Sequence, residues 1–89
     1  MAKFHFALVS PERELFAGEV DQVDAPGAEG DFGVLEGHEP FMTTLRSGTV
    51  MVHLGGSVRR VFEIQGGFAD VTPESFTLLA EQASEVAAA

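Results

Sequence analysis

The amino-acid sequence predicts an all-β fold: a flattened sandwich or barrel of about eight to ten short antiparallel strands, followed by a short tail of helix-favouring composition. Three observations lead there. Apolar residues alternate with polar ones at a period of two, as in Phe4-His5-Phe6-Ala7-Leu8. Glycines and prolines punctuate these stretches at even spacing, where tight turns need them. An apolar content of 45% supports a packed core in spite of the charge.

In chain order, Phe4, Phe6 and Leu8 share one face of a first strand, with Lys3, His5 and Ala7 on the other, and Pro11 ends it. A second extended stretch runs from Leu15 to Asp24. The three-residue spacing of Val20 and Val23 breaks its alternation and predicts a bulge or bend. Residues 26–40, PGAEGDFGVLEGHEP, carry glycines at 27, 30, 33 and 37, which reads as tight turns around one short strand, Phe32 to Leu35. Pro40 opens a further strand that ends at Leu45.

The strongest hairpin signal follows. Val50, Val52 and Leu54 alternate with Met51 and His53, Gly55-Gly56 makes a two-residue turn suited to positive φ, and Val58 to Ile64 returns antiparallel. Gly66-Gly67 predicts a second sharp reversal, before a short strand from Phe68 to Val71. Thr72-Pro73-Glu74-Ser75 is a turn, and Phe76, Leu78 and Ala80 close the sheet. From Glu81 the composition EQASEVAAA favours helix, although so short a segment falls below the roughly 12–15 residues that hold alone in water. The expected organisation is one β domain over residues 1–81 and a tail over 82–89, without internal repeat or linker.

With 89 residues there is room for a single domain, which excludes kinases, dinucleotide folds with a second domain, and barrels of alternating strands and helices. The absence of cysteine excludes disulfides, thiolate nucleophiles and zinc fingers. A net charge of −9 makes nucleic acid and anionic membranes poor partners. The acids are concentrated before residue 40, where nine face two bases. That surface is either a solvated coat that keeps a small protein soluble or a face for a basic partner. The N-terminus alternates and is no signal peptide, and no apolar run reaches the roughly 20 residues that span a bilayer.

Catalytic constellations are missing. Gly55-Gly56-Ser57-Val58-Arg59 lacks the second glycine of a nucleophile elbow and lies in a hairpin turn. Asp31-Phe32-Gly33 matches the kinase metal motif without the rest of a kinase. The glycines of residues 27–33 are accompanied by Glu29 and Asp31, whose charge repels phosphate. His5 and His53 fall on solvent-side positions of strands, and His38, among Asp31, Glu36 and Glu39, is one imidazole where a metal needs three or four converging ligands. Carboxylate pairs such as Asp21 with Asp24 need a pocket to separate their pKa values, and a thin sandwich offers little concavity. No catalytic residue, cofactor or metal is expected, and the sheet reads as a binding surface.

PGAEGDFGVLEGHEP, preceded by VSPERELFAGEVDQV (9–23) and followed by FMTTLRSG (41–48), resembles the epsilon subunit of bacterial F-type ATP synthases. The resemblance continues through Gly66-Gly67-Phe68 and Phe76-Thr77-Leu78-Leu79-Ala80-Glu81, and so covers essentially the whole chain. It implies a flattened β-sandwich, in agreement with the reading above, and a non-catalytic role in the central stalk. There the domain sits against the gamma subunit and on the c-ring loops, couples proton flow to ATP synthesis, and lies peripherally on the cytoplasmic face of the inner membrane. Carried over by motif, Glu29, Gly30 and Asp31 face the c-ring, while His38 and Thr43 lie on the side that meets gamma.

Two departures stand out. Ser47 occupies a position where family members commonly have proline. The two C-terminal helices of most members have no counterpart before Ala89, so neither helix-based inhibition nor nucleotide sensing is expected of this polypeptide. The alternative function is a free-standing acidic β-sandwich adaptor for another basic protein; a small hydrolase has no supporting constellation.

Overall fold

The computed structural model describes residues 3–35, 40–56 and 58–86, and these form eight strands and no helix. The strands are β1 (Phe4–Val9), β2 (Glu14–Val20), β3 (Gln22–Gly27), β4 (Gly30–Leu35), β5 (Phe41–Leu45), β6 (Gly48–Gly55), β7 (Val58–Val71) and β8 (Ser75–Val86). They pair in the order β2-β1-β8-β7-β5-β3-β4, and β6 pairs with both β3 and β7. Strands β7, β5, β3 and β6 therefore close into a ring, with β8, β1 and β2 extending from β7.

Alternation builds the core. Phe4, Phe6 and Leu8 of β1 are buried beside Phe76, Leu78 and Ala80 of β8, with Val50 and Val52 of β6 and Phe62 and Ile64 of β7. Rings pack through this interior, Phe16 tilted against Phe6 at 5.8 Å and Phe6 edge to face with Phe76 at 5.1 Å. Fully burying each such side chain contributes about 1.5–3 kcal/mol.

Several expectations hold. The break predicted near Val20 and Val23 falls at Asp21, between β2 and β3, where the Asp21 N–H donates to the His53 carbonyl at 2.8 Å. The Gly55-Gly56 hairpin forms, with both glycines at positive φ. The Thr72–Ser75 turn closes through a Thr72 N–H to Ser75 O bond of 2.8 Å.

Three expectations are corrected. The pairing is mixed, because β1 lies parallel to β8, from His5↔Ser75 to Val9↔Leu79. A parallel neighbour needs a long connection, and almost the whole chain supplies it. No reversal occurs at Gly66-Gly67, where β7 runs on from Val58 to Val71. Their φ values of +70° and +146° instead change which face points inward, from Phe62 and Ile64 before them to Ala69 and Val71 after. Residues 82–86 are strand rather than helix: β8 pairs with β7 as far as Val61↔Val86. Helix propensity in so short a segment gives way to a ladder of backbone hydrogen bonds.

Candidate interaction surfaces

A two-residue turn, Ala28-Glu29, joins β3 to β4, with Gly27 opposite Gly30 and Pro26 opposite Asp31. Gly27 has to be bare: a Cβ would lie 2.6 Å from the Gly30 carbonyl oxygen and 2.9 Å from the Phe32 ring. Glu29, Gly30 and Asp31 are all exposed, as an interaction tip requires. Asp31, however, has a partner, for its carboxylate pairs with the Arg46 guanidinium just beyond β5. The backbone ties the hairpin to the same place. Ala28 N–H donates to Thr44 O and Arg46 N–H donates to Pro26 O, both at 3.0 Å. Glu29 has no ion-pair partner among the described residues. Sequence reasoning misses Arg46 because the two residues are 15 apart, and only the register Gly27↔Leu45 brings them together.

The second surface is the outer face of β2, β1, β8, β7 and β5. Two cross-strand rows line it: Met42, Asp70, Thr77, Ala7 and Ala17, and beside them Thr44, Phe68, Leu79 and Val9. Asp70 is the charged residue within these rows, Glu14 stands opposite Val9 at the β2 end of the second, and the adjoining row pairs exposed His5 with Glu19. Met42 is 64% and Leu79 48% exposed, an unusual outlay of large apolar side chains on a chain this small. A shallow depression of about 210 Å³, lined by Val9, Ser10, Pro11, Leu79 and Ala80, lies within this face. Thr43 points the other way. It is half-buried, pairs with buried Ala69, and donates its hydroxyl to the Thr44 carbonyl at 3.3 Å. The outward residues of β5 are its neighbours Met42 and Thr44. His38 lies outside the described residues.

The other polar clusters serve the fold. His5 is exposed, 3.7 Å from Glu19. His53 is not the free surface histidine that alternation suggests. Its Nε2 lies 2.9 Å from Asp24 Oδ2, and the Gln22 amide donates to the other oxygen at 2.8 Å. Gly33 on β4 makes room, since a Cβ there would sit 2.8 Å from Asp24 Oδ1. Arg60 lies over the Phe16 and Phe62 rings and forks onto Glu85 with bonds of 2.8 and 2.6 Å. Those hydrogen bonds lower the Glu85 pKa below the ordinary carboxylate value and raise that of Arg60. No group of three metal-ligating side chains occurs among the described residues. The depressions of about 200 and 210 Å³ are smaller than the roughly 300–1,000 Å³ of ligand pockets.

Residues 3–86 match the family model described as "ATP synthase, Delta/Epsilon chain, beta-sandwich domain". The ATP synthase epsilon chain of Caulobacter vibrioides is 69% identical over 87 residues, which are 98% of this chain and all of that one. The epsilon chain of Hyphomonas neptunium is 63% identical over 91% of this chain but only 60% of its own length. Among solved structures, a chain of the Euglena gracilis mitochondrial ATP synthase, in an assembly of OSCP, F1 and c-ring, superposes with a TM-score of 0.88 at 25% identity. That likeness covers 96% of this chain and 54% of the Euglena chain.

Proposed function

The chain belongs to the delta/epsilon family of ATP synthase chains, as an epsilon chain and hence a non-catalytic subunit, and from that premise we propose that it joins gamma to the c-ring in the central stalk. In this role it turns with both and transmits rotation between proton flow and ATP synthesis, as a peripheral part of the complex on the cytoplasmic side of the bacterial inner membrane.

The observation that carries the proposal is a β-sandwich with two unlike surfaces. The outer sheet face, exposing Met42 and Leu79 with its acids Glu14 and Glu19 at the β2 edge, suits a large, tight contact with gamma, because large apolar side chains dominate such interfaces. The Ala28-Glu29 hairpin, small, polar and acidic, suits the cationic loops of the c-ring, where charge sets register more than affinity. Gamma contact then centres on Met42 and Thr44 of β5, with Thr43 supporting the strand from within. The Euglena chain that this one resembles comes from an assembly that contains a c-ring.

Mixing the chain with gamma at low salt is expected to give one complex on gel filtration. The M42E/L79E variant is expected to bind at least about tenfold more weakly without losing its thermal transition, as for central interface residues. A wild-type chain that elutes alone beside gamma defeats the proposal and favours the acidic adaptor.

A further inference from the structure

We propose that Arg46 is a positioning residue for the β3–β4 hairpin: it clamps Asp31, so that Glu29 alone presents an uncompensated charge to a cationic partner loop. This rests on the c-ring reading above.

A two-residue tip between Gly27 and Gly30 has little of its own to fix its direction, since glycine leaves the backbone free. What directs it here comes from the β5–β6 connection. Arg46 contributes twice, once through its backbone N–H to Pro26 O at 3.0 Å and once through its guanidinium to Asp31. The neighbouring Gly48 makes room for this: a Cβ there would lie 3.0 Å from the Pro26 Cβ and 3.6 Å from Arg46 Nη1. Ala28 N–H to Thr44 O completes the stitch.

Both side chains of the pair are well exposed, Arg46 at 49% and Asp31 at 76%. Exposed pairs contribute little to global stability. Their effect is local, on a tip with few other contacts, where small energies decide how much of the time one conformation is held. The charges separate accordingly. Asp31 and Arg46 cancel at a distance, and Glu29 at the apex does not. A partner loop carrying one cation then finds a single anion at a fixed place, which specifies register.

Hydrogen exchange of the Ala28 amide in the full chain reads the clamp. Retention on proteoliposomes carrying gamma and the c-ring reads the docking. R46Q and D31N are each expected to speed Ala28 exchange about fivefold, the scale of one exposed ion pair, with the thermal midpoint unchanged. The double variant R46Q/D31N is expected to be no worse than either single one. The swap D31R/R46D is expected to restore both protection and retention. E29K is expected to leave Ala28 protection intact and weaken retention about tenfold.

An R46Q chain whose Ala28 exchanges as in wild type overturns the clamp. A swap that restores protection but not retention shows that the partner reads Asp31 itself, and overturns the division of roles. If the wild-type chain is not retained at all, the c-ring reading and the Glu29 assignment fall together, while Ala28 exchange still decides the clamp.

Discussion

Gly67 sits at φ +146° opposite Ala80 in the β7–β8 ladder, and a Cβ there would meet the Leu79 carbonyl oxygen and lie 3.0 Å from Ala80 Cα. Both obstacles are backbone and neither can swing away. Gly67→Ala is therefore expected to cost at least about 2–3 kcal/mol, the upper range for an enforced unfavourable φ/ψ, measured as a drop in urea midpoint. Gly66→Ala is expected to cost less, because its Cβ would meet only the mobile carboxylate of Glu81, at 3.2 Å. An unchanged midpoint for the Gly67 variant contradicts this account. The glycine pair is legible in the sequence as special backbone, but its effect is not. Two glycines between alternating strands read as a reversal, and only the burial of Ala69 and Val71 shows the strand continuing with its faces exchanged. Long-range side-chain partners are illegible for a similar reason. His53 finds Asp24, 29 residues away, and Arg46 finds Asp31 only once β3, β5 and β6 are in register.

The elements themselves are largely written in the period-two pattern, and their departures are informative. β8 continues past Ala80, through residues whose composition favours helix, because β7 pairs with it again from Gln65↔Gln82 to Val61↔Val86 and Arg60 holds its far end. The fork onto Glu85 gives that hold a pH dependence. Hydrogen bonds from Arg60 lower the Glu85 pKa from its ordinary 4.5. Its contribution is thus present above about 4.5 and lost as pH falls through the lowered folded value. Arg60 moves the other way, upward, so its share is lost only in strong alkali. On acidification, the amides of Val61 and Val86 are expected to lose exchange protection before those of Phe6 and Phe62. In E85Q they should be less protected at neutral pH and lack that step. Simultaneous loss of protection across all strands argues against a local latch. The parallel β1–β8 pair, by contrast, leaves no mark in local pattern, since strand direction is set by the path of the whole chain.

For the molecule as a whole, the net charge of −9 is more one-sided than the count suggests. Lys3, Arg46 and Arg60 are each consumed by an internal pair, with Asp21, Asp31 and Glu85. The field that reaches a partner comes mainly from acids left over, such as Glu12, Glu14, Glu29 and Glu74. The part of the outer face around Met42 and Leu79 adds Asp70 to it, while Glu14 and Glu19 lie at the β2 edge. Steering and holding are thereby assigned to different parts of the surface, and they respond differently to salt. Long-range attraction is screened over about 10 Å at 0.1 M ionic strength, whereas apolar burial is not weakened by it. Binding of the chain to gamma and the c-ring together is expected to show an association rate that falls about tenfold between ~0.05 and ~0.5 M salt, with dissociation changing less than about twofold. M42E/L79E should reverse the pattern, speeding dissociation much more than it slows association. If the association rate ignores salt, the acidity is a solubility coat and no steering field. If dissociation carries the whole salt effect, the contact is held by charge, and the outer apolar face is not what binds.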